Sequence, residues 1–536
     1  MSILKRFLAD RHGNFAIVAS VISMPLLMAV GLSVDYYNIA RIQSDMQSAI
    51  DSAVLAVAHE GDKASLSEAN VIADRFLREN FELPFYNLVV TRSGQDVSVS
   101  AKVSVALAFG GLFGTPTTNF TKSATSSVFY ANYEIALVLD TTGSMAGGKL
   151  ASMKDAVNGL IDSMSAQNTR TNGLKFSLVP FSSKVNVGPQ FGPTYNASGE
   201  VTQQPASWID AKAESPIPQG DLDPGVSRFA TMKHLGVSWT GCVEARASSS
   251  SKPYDITDIA PNSGDPATLF VPAFASDEPD SGAYPNSYLL DSPNRIGTGT
   301  PDSRMLRYGA VYDPSFKGLN FSNQISSSAL WSPVVADFSN QSFYGGYPVA
   351  KGPNFGCDVQ PVVALTTNFN GLKTKVDGLV ALGSTNILEG AMWGWRTLSS
   401  RAPFSEGRSE SDFGVQKIMV LLTDGTNNLG PINNSLGSAH SSYGYLVDGR
   451  LGLTSGSDSQ ITDAMNEKTL EACTNAKADG IEIYTIRLEE PNVTTGNMLR
   501  ECATDADHYV DVPNRALLDE AFSKIKDRIA RIRLSS

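Results

Sequence analysis

Three rhythms of apolar and polar residues follow one another along the chain. From Gly13 to Val34 there is no alternation: the run is uncharged, mostly Ile, Val, Leu, Met and Ala, with Pro25 and Gly31 inside it. At roughly 20 residues it has the length of a helix that crosses a bilayer, where Pro and Gly are tolerated. Beyond Asp35 the apolar positions Ile39, Ile42, Met46, Ala49, Ala53 and Ala56 recur at alternating spacings of three and four. That spacing predicts a continuing helix with a narrow apolar seam. Such a seam packs either against a partner helix or against the chain's own next domain. From about Pro84 to Tyr130 the period falls to two. "DVSVSAKVSVALAF" alternates, and Gly110-Gly111 and Gly114-Thr115-Pro116 break it, which predicts a small antiparallel sheet.

The third rhythm starts near Asn132. "IALVL" (Ile135 to Leu139) is a continuous apolar strand, as in a parallel sheet covered on both faces. Leu150, Met153, Val157, Leu160, Ile161 and Met164 then form a helical stripe. "LKFSLVPF", "KIMVLLTDG" and "IEIYTIRL" read as further strands, with a helix around Leu470 to Ala478 between the last two. Leu518, Phe522, Ile525, Ile529 and Ile532 mark a C-terminal amphipathic helix. Strands alternating with helices predict a doubly wound α/β domain. Residues 187–355 interrupt this alternation with a segment rich in Pro, Gly, Ser, Asp and Asn. It is too long for an ordinary loop. Trp208, Phe229, Trp239, Phe270 and Trp331 give it something to bury, so it is expected to be a folded insertion. The expected organisation is a tail and membrane helix over 1–34, a helical stalk over 35–83, a small β-rich region over 84–130 and an α/β domain over 131–536.

Composition changes this picture in two places. The formal net charge of -12 argues against nucleic acid as a partner, since phosphate neutralisation needs a clustered basic surface. Lys5, Arg6 and Arg11 precede the apolar run and Asp35 ends it. That asymmetry keeps the short tail in the cytoplasm and exports the rest. A cleaved signal peptide is the competing reading, but its apolar stretch is shorter than this one. Export permits disulfides among the four cysteines, none of which forms a CxxC pair. Cys473 and Cys502 fall in successive late helices and are expected to pair locally. Cys242 and Cys357, inside the insertion and at its return, would then tie the insertion down.

The candidate chemistry lies where strands end. In an open parallel sheet, ligands bind beyond the carboxyl ends of the strands. "LVLDTTGSM" places Asp140 at such an end, followed by Thr142 and Ser144, and "LLTDG" places Asp424 at another. Thr385, in "GSTNILEG", adds a third hydroxyl ahead of a helical pattern. Hydroxyls with a few carboxylates suit a hard divalent cation, Mg²⁺, Mn²⁺ or Ca²⁺. "DLDPG" and "DEPDSG" are acidic but lack the spacing of a calcium loop.

"VLDTTGSM", "STN" and "LLTDG", in that order on alternating strands, resemble the metal-ion-dependent adhesion site of von Willebrand factor A domains. That family's pattern is Asp-x-Ser-x-Ser, then a distant Thr, then a distant Asp. Matched residue by residue, the resemblance implies that Asp140, Thr142, Ser144, Thr385 and Asp424 hold a metal ion, with Thr142 standing where Ser is usual. It also implies an open metal position for an acidic residue of a protein partner. The N-terminal "RHGNFAIVASVISMPLLMAVGLSVDYYN", followed by "QSAIDSAVLAVA", is similar to the TadE/TadG family of tight-adherence (Flp) pilus assembly proteins. Together the two resemblances imply a single-pass bacterial inner-membrane protein with its A domain in the periplasm, or on the cell surface if it serves as an adhesin. After Gly13 the fifth residue is Val18, not the Glu that prepilin processing prefers.

An enzymatic reading competes. "DTTGS" is close to the phosphorylated Asp-Lys-Thr-Gly-Thr of ion-pumping ATPases, which would make Asp140 a nucleophile. However, Thr141 replaces the lysine, Asn428 replaces an acid of the later motif, and one membrane segment makes no ion path. No Gly-x-Ser-x-Gly elbow or phosphate loop is present, and His508 is expected to be structural rather than a base.

Overall fold

The long apolar run and the seam behind it form one helix, α1 (Asn14–Glu60), 47 residues with Pro25 inside. In this computed structural model the described residues are 14–60, 65–93, 96–127, 132–167, 172–217, 222, 226–249, 252–279, 284–288, 351–409, 415–430 and 432–535. Lys5, Arg6, Arg11, Gly13 and Trp331, used in the sequence reading, lie outside them. The chain divides after Tyr130 into two units.

In the first unit, α1 changes character along its length. Its N-terminal part leaves apolar side chains bare, with Val21 66% and Leu27 70% exposed. From Ile42 onward one stripe is buried: Met46, Ala49, Ile50, Ala53, Val54 and Val57. The buried line runs through Val57 rather than Ala56, because a straight helix drifts off a strict seven-residue seam. The stripe packs on α2 (Leu66–Asn80) through Ala69, Ala73 and Leu77, and on a meander of β1 (Phe85–Ser93), β2 (Asp96–Ala106) and β3 (Thr117–Ser127). The seam therefore covers the chain's own next elements, and the helical stretch and the small sheet share one core. Alanines at the crossing let the two helices approach closely. α2 starts at a capping box, in which the Ser65 backbone N–H donates to Glu68 Oε2 at 2.7 Å and the Glu68 backbone N–H to Ser65 Oγ at 3.3 Å.

The second unit is built on β4 (Asn132–Asp140), α3 (Gly148–Gln167), β5 (Leu174–Phe181), β6 (Val363–Thr366), α4 (Phe369–Asp377), α5 (Ile387–Leu398), β7 (Val415–Thr423), α6 (Asp458–Ala478), β8 (Ile481–Leu488), α7 (Val493–Cys502), β9 (Tyr509–Val512) and α8 (Leu518–Ser535). Its six-stranded sheet has the order β6-β5-β4-β7-β8-β9. All neighbours are parallel except edge strand β6, which runs antiparallel to β5. This is the doubly wound α/β arrangement expected from the strand pattern. Alternate residues of β4 serve opposite layers. Ile135, Leu137 and Leu139 pack with α3, α4 and α8, whereas Ala136 and Val138 pack with α5, α6 and the insertion.

The described part of the insertion belongs to that second layer. Trp208, Phe229, Trp239 and Phe270 are buried in the same cluster as Trp393 of α5. Buried ion pairs fasten it further: Asp255 pairs with Arg246 at 2.8 Å and with Arg396 of α5, and Glu244 pairs with Arg228 and, at 3.0 Å, with Arg450. Such pairs add little net stability, but losing one partner strands a buried charge at a cost of about 3–5 kcal/mol. Both disulfides have the connectivity read from the sequence, Cys242–Cys357 and Cys473–Cys502.

Candidate metal centre

β4 and β7 are neighbours in the sheet, yet their following helices, α3 and α6, lie on opposite faces. Their carboxyl ends therefore open a crevice, the place where a doubly wound sheet binds ligands. Asp140 is the last residue of β4, and Asp424 follows the last residue of β7. Thr385 immediately precedes Asn386, the N-cap of α5. The loops are locked by backbone bonds: Gly143 N–H to Gly383 O at 3.0 Å, Leu382 N–H to Thr141 O at 2.8 Å and Asn428 N–H to Thr385 O at 2.7 Å. Gly425 sits close against the site: a Cβ there would lie 3.2 Å from Thr385 Oγ1, so the hydroxyl would have to give way by a few tenths of an ångström.

The structure brings all five sequence-predicted residues together. Thr142 Oγ1 and Ser144 Oγ are 3.0 Å apart, Thr385 Oγ1 donates to Thr142 Oγ1 at 3.4 Å, and Ser144 Oγ donates to Asp424 Oδ1 at 2.6 Å. Asp140 sits behind this row, fully buried. Its Oδ1 accepts the Thr142 N–H at 2.8 Å and its Oδ2 the Thr423 hydroxyl at 2.6 Å. Burial, reinforced by the nearby charge of Asp424, pushes the Asp140 carboxyl up to about 7. Among the described residues, no three His, Cys, Asp or Glu side chains gather to hold a metal. The donor set is two carboxylates and three hydroxyls, all hard oxygen, which fits Mg²⁺ or Mn²⁺ and not a zinc site of Cys or His.

Several residues at the site were not singled out from the sequence. Lys149, in the first turn of α3, places its ammonium 2.6 Å from Asp424 Oδ2. A lysine at a helix N-terminus faces the unfavourable end of the dipole, and that misplacement is the signal available in the sequence. The others wall a pocket of about 510 Å³ over the site. Phe355, Gly356 and Asp358 come from the return of the insertion, and Ala439 and His440 from the loop after β7. Lys184, fully buried, pins both walls by donating to Phe355 O at 2.6 Å and His440 O at 3.0 Å. Burial lowers Lys184 to about 8 and raises Asp358 to about 6. Burial, followed by the charges of Lys184, Arg228 and Arg450, holds His440 well below the ordinary imidazole range, so it is neutral. No spacing rule links these residues, which meet only through the fold.

Residues 13–60 match the family model described as "Putative Flp pilus-assembly TadE/G-like". The N-terminal segment is TadE/G-like. No curated protein matches the chain. Among solved structures, the chain is similar to the pilus adhesin SpaC of Lactobacillus rhamnosus GG (11% identity, 83% of this chain and 34% of that one, TM-score 0.30). It is also similar to the vWF domain of the type V pili tip protein Mfa5 of Porphyromonas gingivalis (10% identity, 76% and 97%, TM-score 0.32). A third is a von Willebrand factor type A structure from Catenulispora acidiphila (11% identity, 82% and 49%, TM-score 0.26). The chain spans about a third of the length of the SpaC adhesin. Within the TadE/G-like segment, α1 is long and apolar enough to cross a membrane.

Proposed function

We propose that this protein is a single-pass, membrane-anchored binding protein of Flp/Tad-type pilus assembly or adhesion, whose α/β unit engages a protein partner through a divalent cation. The observation that carries this reading is the meeting of Asp140, Thr142, Ser144, Thr385 and Asp424 at the switch point of the sheet. The hydroxyls of Thr142, Ser144 and Thr385 and the carboxylates of Asp140 and Asp424 would hold Mg²⁺, Mn²⁺ or Ca²⁺. The ion would supply a Lewis-acid position for an acidic side chain of the partner. With few charged donors the chain alone holds the ion weakly, so cation and partner binding strengthen each other.

A binding role fits the site better than phosphoryl transfer. Both oxygens of Asp140 are engaged by Thr142 and Thr423, and its side chain is buried, so it is not presented as a nucleophile. The basic N-terminal flank supports a cytoplasmic tail and a periplasmic bulk in the inner membrane. Calorimetry with Mg²⁺ and Mn²⁺ tests the site on the wild type, Asp140→Ala and Asp424→Ala. The wild type is expected to bind and both variants to lose binding with the fold intact. An identical null titration in all three would remove the metal reading.

A further inference from the structure

We propose that the tip of the β2–β3 hairpin enters the lipid bilayer beside α1 and gives the first unit a second foothold in the membrane. The inference rests on α1 crossing the bilayer. The tip reads "LAFGGLFGTP", Leu107 to Pro116, and no charged residue occurs between Lys102 and Lys122. It is seated on the membrane helix itself. Gly31 of α1 lies so close to Phe109 that a Cβ would meet the ring at 2.7 Å. Gly31 is three residues inside the end of the apolar run at Val34, which is about 4.5 Å at 1.5 Å per residue. The tip is thus level with the outer edge of the hydrocarbon.

Exposure follows the same level. Phe109 is 38% exposed, next to a helix whose Val30, Leu32 and Val34 are at least half bare. Just outward, Tyr36 and Tyr37 are 75% and 72% exposed, where aromatic residues line the membrane–water boundary. A groove of about 550 Å³ between helix and tip is lined by Leu32, Ile39 and Leu107 among others.

Irregular backbone survives at this depth only if its polar groups are satisfied internally. Here they largely are. Asp35, itself buried, accepts the Ala108 N–H at 2.8 Å and the Phe109 N–H at 3.0 Å. Leu107 N–H donates to Pro116 O at 2.9 Å, Thr115 N–H to Gly110 O at 3.0 Å and Gly114 N–H to Gly111 O at 3.3 Å. The acid that ends the apolar run is therefore also the clasp that shapes the tip.

The strands climb away from the membrane along α1. Gln47 Nε2, sixteen residues beyond Gly31, donates to Ser123 O of β3 at 3.4 Å. Lys102 and Lys122 occupy adjoining positions in the ladder, Lys102 opposite Thr121 and Lys122 opposite Ala101. At about 3.3 Å per residue, Lys102 lies roughly 16 Å above the start of the tip at Leu107, so its long side chain can reach back toward anionic headgroups. An apolar foot below two lysines is the pattern of a membrane-seated loop.

All four native cysteines are in disulfides, so one added cysteine is the only free thiol. The full chain is reconstituted in phosphatidylethanolamine–phosphatidylglycerol vesicles with a nitroxide at Gly111→Cys, where an added Cβ meets nothing within 4 Å, at Leu26→Cys in α1, or at Thr125→Cys near the far end of β3. Relaxation by oxygen is compared with relaxation by a water-soluble nickel chelate. The expected result is oxygen-dominated relaxation at 26 and 111 and nickel-dominated relaxation at 125. If 26 is in lipid while 111 is as open to nickel as 125, the foothold is refuted and the anchor stands. If 26 itself is in water, both fail.

Discussion

Lys149→Met should tighten the metal site rather than weaken it. In the structure the lysine ammonium occupies the charge-neutralising role that the proposed cation would take, 2.6 Å from Asp424 Oδ2, with the carboxylate fully buried and the lysine side chain 21% exposed. A charge-assisted hydrogen bond of this kind contributes about 1.5–3 kcal/mol. A dication that uses Asp424 must displace it, so the wild-type affinity is reduced by that amount. At 1.36 kcal/mol per factor of ten, removing the competitor should raise Mn²⁺ affinity by about ten- to a hundredfold. The same substitution leaves Asp424 without its cation when metal is absent. The variant should therefore melt at a lower temperature than wild type in EDTA and gain more on adding Mn²⁺. Titration calorimetry or the Mn²⁺ spin signal measures the first effect, and paired melting curves the second. Unchanged or weaker Mn²⁺ affinity in a folded Lys149→Met protein would refute the argument.

Asp140 gives a pH dependence. Its folded-state pKa is raised to about 7 from an ordinary 3.8, so the metal-free protein binds more protons than the unfolded chain between these values and its stability falls as pH rises through that window. Metal uptake requires the ionised form, so it should weaken below pH 7 and release protons, which calorimetry in buffers of different ionisation enthalpy detects. His508 runs the other way. Burial alone would depress it, but Glu482 at 2.7 Å and Asp505 at 2.6 Å on its two ring nitrogens outweigh that and raise its pKa. Its contribution is present at pH 6 and is lost as pH rises through the folded value, so His508→Gln should lower the melting temperature more at pH 6 than at pH 9. The Cys473–Cys502 and Cys242–Cys357 bridges close separations of 29 and 115 residues, for which chain entropy gives about 3.5 and about 5 kcal/mol. Paired Cys→Ser variants should lower the melting temperature accordingly, and Cys242→Ser/Cys357→Ser should expose the insertion to protease first.

Period alone recovers most of the architecture. The continuous apolar strands Ile135–Leu139 and Ile418–Leu422 are buried on both faces and lie side by side, as parallel pairing requires. The seam of α1 was visible, but what it packs against was not. Short apolar seams look alike whether their partner is another chain or the same one. Here Ala69 and Ala73 of α2 settle it, and they sit in a segment whose helical pattern is only 15 residues long. The insertion was legible as folded from its aromatics, but its attachment through Asp255–Arg396 and Glu244–Arg450 spans separations of 141 and 206 residues that no local pattern encodes.

The candidate site divides in the same way, and the division has a physical cause. Asp140, Thr142 and Ser144 lie within five residues, and Thr385 and Asp424 stand at strand or helix ends whose position the topology dictates. Those residues are readable because the sheet's switch point does the gathering. Lys149 reaches Asp424 from the first turn of α3, while Asp358 and His440 wall the pocket from two unrelated loops, and each has an ordinary explanation where it stands in the sequence. What makes them significant is charge in a confined space. One ammonium neutralises Asp424, a second at Lys184 pins the walls, and burial shifts Asp358 and His440 toward their neutral forms. A cation entering the pocket meets the carboxylates of Asp140 and Asp424, with those of Asp358 and Glu490 also on the pocket wall. An acidic partner side chain is then repelled while the site is empty and attracted once it is filled. This is why partner binding should vanish in EDTA for the wild type and return with Mg²⁺.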